Sequence, residues 1–103
     1  MSTITLLSMK CVELQDSISE DEIEVRLNGS KVVGPIGVHK NETVTLNASR
    51  NFTGTVTVQL VELDSNSAED DLGLHVVGAA IDSGTLLFDK ANKATYTLSY
   101  RVT

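Results

Sequence analysis

Ten of the fourteen carboxylates in this chain sit in two short windows. Residues 16–24 hold Asp16, Glu20, Asp21, Glu22 and Glu24, and residues 62–71 hold Glu62, Asp64, Glu69, Asp70 and Asp71. Neither window contains a Lys or Arg. Like charges crowded together repel unless something positive joins them, and clustered carboxylate oxygens are the donors that a hard divalent cation takes. The chemistry these residues suit is calcium binding. Calcium accepts about six to eight oxygens, some from backbone and water. An EF-hand loop does not fit: counted from Asp64, the glycine position holds Glu69 and the closing glutamate position holds His75.

Other chemistries find less support. Cys11 lies among apolar residues and reads as a small core side chain rather than a nucleophile. As the single cysteine it excludes an internal disulfide. His75 alternates with Leu74 and Val76, which predicts a solvent-facing ring, and His39 falls in a turn. Neither pairs with Cys11 at a spacing known for zinc or for a catalytic dyad. Gly34-Pro35-Ile36-Gly37 lacks the lysine and following helix of a phosphate loop and reads as an interruption in a strand. Paired carboxylates can hydrolyse glycosides, but no Trp is present to stack a sugar. Asn28, Asn41, Asn47 and Asn51 head glycosylation-type triplets of the kind that a Ser- and Thr-rich chain supplies by chance.

The elements that position the acids read as strands. Ile23, Val25 and Leu27 alternate with Glu22, Glu24 and Arg26; Val44, Leu46 and Ala48 with Thr43, Thr45 and Asn47; Tyr96, Leu98, Tyr100 and Val102 with Thr95, Thr97, Ser99 and Arg101. Period-two alternation marks half-buried strands of an antiparallel sheet. Further strands are expected at 3–12, 31–38, 54–63, 72–79 and 85–88. Parity slips near Leu7–Ser8 and Leu60–Val61 point to bulges. Asn28-Gly29-Ser30-Lys31 reads as a tight hairpin turn, with further turns at His39-Lys40-Asn41, Ser49-Arg50-Asn51 and Asp82-Ser83-Gly84. With no helical periodicity, the expectation is one all-β domain over residues 1–103. Its architecture is an antiparallel β-sandwich of about eight strands. If successive strands reverse direction, both acidic windows, His39–Asn41 and Asp89–Lys93 fall at the same end.

The second window resembles a known motif. Glu62-Leu63-Asp64, five residues, then Asp70-Asp71-Leu72-Gly73 is similar to the third calcium loop of C2 domains, with Glu62 where that family usually has Asp. Asp16 followed by Glu20 or Asp21 and an alternating strand is similar in layout to the first calcium loop, although Asp21-Glu22-Ile23 replaces the usual Asp-Pro-Tyr. The resemblance covers about a fifth of the chain and implies a compact, divergent C2-like sandwich. It further implies a calcium site formed by Asp16, Asp21, Glu62, Asp64 and Asp70, with Glu20, Glu69 and Asp71 spare. Many C2 domains also dock on membranes. Here Ile18 is the one apolar loop tip, Asn66-Ser67-Ala68 is not greasy, and no basic patch would attract anionic lipid, so membrane docking is not expected.

Composition sets the remaining limits. A net charge of −6, with eight scattered basic residues, argues against nucleic acid as a partner. Apolar residues at 41% and charged residues at 21% are those of a folded globular domain. No apolar run is long enough to span a bilayer, and no secretory signal is visible, which leaves localisation open. Two readings follow, neither of them an enzyme. One is a binding module whose acidic end holds calcium; the other is a metal-free structural or protein-interaction sandwich using a sheet face or edge.

Overall fold

The computed structural model describes residues 1–14, 20–63, 69–90 and 94–103. Eight strands run in chain order: β1 (Ser2–Glu13), β2 (Asp21–Leu27), β3 (Ser30–Val38), β4 (Thr43–Phe52), β5 (Thr55–Glu62), β6 (Asp70–Gly78), β7 (Asp82–Asp89) and β8 (Thr95–Val102). They form two four-stranded sheets, ordered β4-β1-β8-β7 and β3-β2-β5-β6, and every pairing among the described residues is antiparallel.

The alternating side chains meet between the sheets. Ile4, Leu6, Met9, Cys11, Leu98 and Tyr96 of the first sheet and Ile23, Val25, Val58 and Leu60 of the second are fully buried. The core thus comes from the apolar parity of each strand, with the polar parity turned to solvent. Asn28 and Gly29 take positive φ angles of 51° and 83°, and Leu27 pairs with Ser30. That is the two-residue hairpin turn expected there.

Both parity slips are bulges. The β1 register shifts between Leu6 and Ser8 against β4 and β8, with Asn47 of β4 at φ 54°. The β5–β6 register shifts between Leu60 and Val61, where Leu60 pairs with Gly73 and Val61 with Asp71. The Gly34–Gly37 segment does not interrupt β3: the strand runs through it with a register shift against Ile23 and Val25.

Two expected turns are strand instead. Ser49, Arg50 and Asn51 pair with Thr5, Ile4 and Thr3, and Asp82, Ser83 and Gly84 pair with Val102, Arg101 and Tyr100. Their polar character fits edge strands, where one side of the ribbon faces water. His75 also departs from expectation. The β5–β6 bulge reverses the parity of β6, so Leu74 and Val76 are 51% and 62% exposed while His75 leans toward β7. Its Nε2 lies 2.6 Å from the Leu87 carbonyl oxygen, and its ring meets Phe88 edge-on at 4.8 Å. His75 is therefore a clasp between the two sheets.

Candidate functional site

The topology brings the ends of β1, β3, β5 and β7 and the starts of β2, β4, β6 and β8 to one pole. The joins there are explicit. Asn41 donates its backbone N–H to the Cys11 carbonyl at 2.7 Å, and Lys40 Nζ lies 3.4 Å from Glu13. His39 lies 3.5 Å from Glu20 and 3.4 Å from Glu42. Ile23 pairs with Glu62, and Glu62 with Asp70.

Three of the five residues implied as calcium ligands are described. Asp21 opens β2 and is only 1% exposed. Tyr96, at the start of β8 in the other sheet, donates a 2.7 Å hydrogen bond from its hydroxyl to Asp21 Oδ2. Burial, then the bond to Asp21, pushes the Tyr96 hydroxyl far above the ordinary phenol range. Burial likewise raises the Cys11 thiol, which is hydrogen-bonded to Tyr96. Asp21 is thus no solvated rim acid: it is a buried carboxylate that ties the two sheets together beneath the pole. Glu62 and Asp70 end β5 and begin β6 as half-buried cross-strand partners. Asp16 and Asp64 lie outside the described residues, as do Ile18 and Asn66-Ser67-Ala68.

The spare acids divide differently from expectation. Arg26 of β2 holds Glu24 through Nε at 2.5 Å and grips Glu69 with both terminal nitrogens, at 3.1 and 2.7 Å. The fork geometry suits a guanidinium. Arg26 holds the Glu69 carboxyl below its ordinary range, and Glu69 and Glu24 raise the guanidinium in turn. Asp71 Oδ1 accepts the Gly73 N–H at 2.9 Å, which pulls the Asp71 carboxyl down. Gly73 itself sits at φ 132°, and a Cβ there would crowd Phe88 at 3.2 Å, so the bulge requires glycine. The positive charge that joins two acids of different windows is thus the chain's own. A sequence signal existed in the Glu24-x-Arg26 spacing, which puts both side chains on one face of a strand.

Among the described residues, no group of three His, Cys, Asp or Glu side chains is arranged to hold a metal ion. Also among the described residues, no helix is long and apolar enough to cross a membrane.

Comparison with known proteins rests on the fold. One C2 domain of a plant Extended Synaptotagmin 1, the domain lettered A, superposes with a TM-score of 0.66 at 12% identity, covering 98% of this chain and 90% of that one. A second structure, described as that of a C2 domain, also gives 0.66 at 12% identity, over 100% of this chain and 99% of the other. The fold is C2-like. No protein-family model matches the sequence, and no curated protein matches it. The likeness runs the length of the chain, as a compact, divergent C2-like sandwich requires.

Proposed function

We propose that this C2-like sandwich is a non-catalytic binding module that takes up calcium at its acidic pole. The observation that carries the reading is the pairing of Glu62 with Asp70 at the same pole where Asp21 begins β2. The segments bearing Asp16 and Asp64 leave from the ends of β1 and β5 at that pole. Asp16, Asp21, Glu62, Asp64 and Asp70 would supply the carboxylate oxygens, and calcium would supply positive charge to them as Arg26 does to Glu24 and Glu69. The described residues do not make a three-ligand group by themselves. The fit therefore depends on Asp16 and Asp64 joining the other three.

The metal-free interaction module remains the second reading. It is favoured by the acids already engaged within the chain, Glu24 and Glu69 on Arg26 and Asp71 on its own backbone.

Thermal melts in chelator, calcium and magnesium at matched ionic strength separate the two. A cation bound only by the folded state stabilises it by about 2.7 kcal/mol at a hundredfold excess over Kd. In a domain of about 100 residues each kcal/mol moves Tm by roughly 4–8 °C. A site with a Kd of about 10 μM should raise Tm by more than about 10 °C in about 1 mM calcium, and magnesium should do less because it dehydrates reluctantly. Three coincident curves would remove the metal reading and leave the interaction module.

A further inference from the structure

Of the described carboxylates in the proposed calcium set, Asp21 is out of water while Glu62 and Asp70 are half-buried. Its cross-strand partner Val38 is buried as well. What reaches Asp21 from the other sheet is the Tyr96 hydroxyl, donating to Oδ2 at 2.7 Å. Tyr96 stands on β8 between two cross-strand neighbours, Cys11 of β1 and Phe88 of β7, and all three are buried. Opposed side chains on one face of a sheet lie close enough to confine each other, so the ring has little freedom and its hydroxyl a fixed place. The Cys11 thiol is hydrogen-bonded to that hydroxyl from behind. Because the hydroxyl gives its own hydrogen to Asp21, the thiol is the donor in this second bond. A chain of donors thus runs from Cys11 through Tyr96 to the carboxylate, each bond polarising the next.

We infer that Tyr96 is a positioning residue for calcium, its hydroxyl fixing the direction of the Asp21 carboxylate before the metal arrives. This rests on the calcium reading above and deepens it. A ligand ordered by folding need not be ordered by the metal, which strengthens binding. Hydrogen-bond partners standing behind metal ligands orient them, and losing one typically costs about 10–100-fold in metal affinity. An opposing effect exists: the hydroxyl draws electron density from Asp21 and competes for one of its oxygens. Orientation should prevail, because a buried carboxylate that has turned away can be turned back only by moving the close-packed side chains around it.

Titration calorimetry with calcium on the wild type, Tyr96→Phe, Asp21→Asn and the double variant tests this, at a temperature where circular dichroism shows each of them folded. Tyr96→Phe should raise the calcium Kd about tenfold or more. In the Asp21→Asn background the same change should do little, because Tyr96 acts through that carboxylate. Tyr100→Phe, on the same strand with its ring packed at Gly84, should leave Kd unchanged. A purely structural role for Tyr96 would lower Tm and leave Kd alone. A second measurement needs no variant. The chain has two tyrosines, so in isotope-labelled protein the Tyr96 ring resonance should shift on calcium saturation while that of Tyr100 stays in place. Absence of calcium binding in the wild type removes the calcium reading and this inference with it. A wild type that binds, with Tyr96→Phe binding equally or more tightly, overturns the inference alone. Additive effects in the double variant, or a Tyr96 resonance that ignores calcium, do the same.

Discussion

Tyr96 and Asp21 meet across the sandwich, hydroxyl to carboxylate at 2.7 Å, one from each sheet and both out of water. A buried carboxylate is costly unless donors surround it, so the hydroxyl stabilises the strand ends that present the acidic pole. Tyr96→Phe keeps the ring and removes that donor. It should cost about 1–3 kcal/mol in urea unfolding, with the slope m unchanged. A loss smaller than about 0.5 kcal/mol would show that Asp21 does not depend on this bond.

Acid should weaken the fold through Glu69, Glu42 and Asp71. Arg26 depresses Glu69, the His39 backbone N–H and then its side chain depress Glu42, and the Gly73 N–H depresses Asp71. A carboxyl depressed in the folded state binds fewer protons there than in the unfolded chain. Stability therefore rises with pH between the two values, is fully present above the unfolded value of about 4, and is lost as pH falls through the folded one. Arg26→Gln removes the Glu69 contribution, so unfolding measured from about pH 2 to 7 should show a shallower acid slope for the variant. Parallel slopes would mean that the Arg26–Glu69 pair is not held in solution.

The metal reading makes a prediction of sign. Replacing both Asp64 and Asp70 with Asn relieves like-charge repulsion when no cation is present, so the double variant should melt at or above the wild type in chelator. In calcium at about a hundredfold excess over Kd the order should reverse by about 2 kcal/mol or more, because the ligands are then needed. Calorimetry under both conditions reads the reversal directly, and a variant offset equally in both would sink the calcium site.

Gly34 is a further point of dependence. Its φ is 105°, and a Cβ built there would land on the Ile23 carbonyl oxygen in the neighbouring strand. Gly34→Ala should cost about 2 kcal/mol or more, from left-handed strain and backbone crowding together. Chemical unfolding of the variant measures it, and a near-neutral result would mean that the β2–β3 register can slip to make room.

Much of this arrangement was legible in the sequence because it follows from parity. Ile23, Val25 and Leu27, and Tyr96 through Val102, announce their inward faces, and the slips at Leu7–Ser8 and Leu60–Val61 mark the bulges that the register shows. The shared pole followed from strand direction alone. What parity could not reveal depends on pairing at a distance. Arg26 and Glu69 are 43 residues apart, and no local pattern predicts their meeting. The burial of Asp21 requires knowing that Tyr96 stands opposite. His75 was misplaced because the bulge at Gly73 exchanges the two faces of β6 partway along it. Ser49–Asn51 and Asp82–Gly84 looked like turns because exposed edge strands share the polar composition of turns.

The order β4-β1-β8-β7 has a consequence for how the molecule comes into being. β1 is bounded on one side by β4 and on the other by β8, the last of the eight strands to be synthesised, and backbone bonds of 2.9 Å join Thr3 to Thr103 in both directions. The first sheet therefore cannot be completed until β8 has been made. β1 and β4 can only form a partial ribbon, with the apolar faces of Ile4, Leu6 and Met9 awaiting Leu98 and Tyr96. Closing a loop that nearly spans the chain is entropically slow, and topologies dominated by such distant contacts fold in milliseconds to seconds rather than microseconds. Because Tyr96 belongs to β8, the hydrogen bond beneath the acidic pole cannot form before that strand is made, and the nascent domain must stay unaggregated until then.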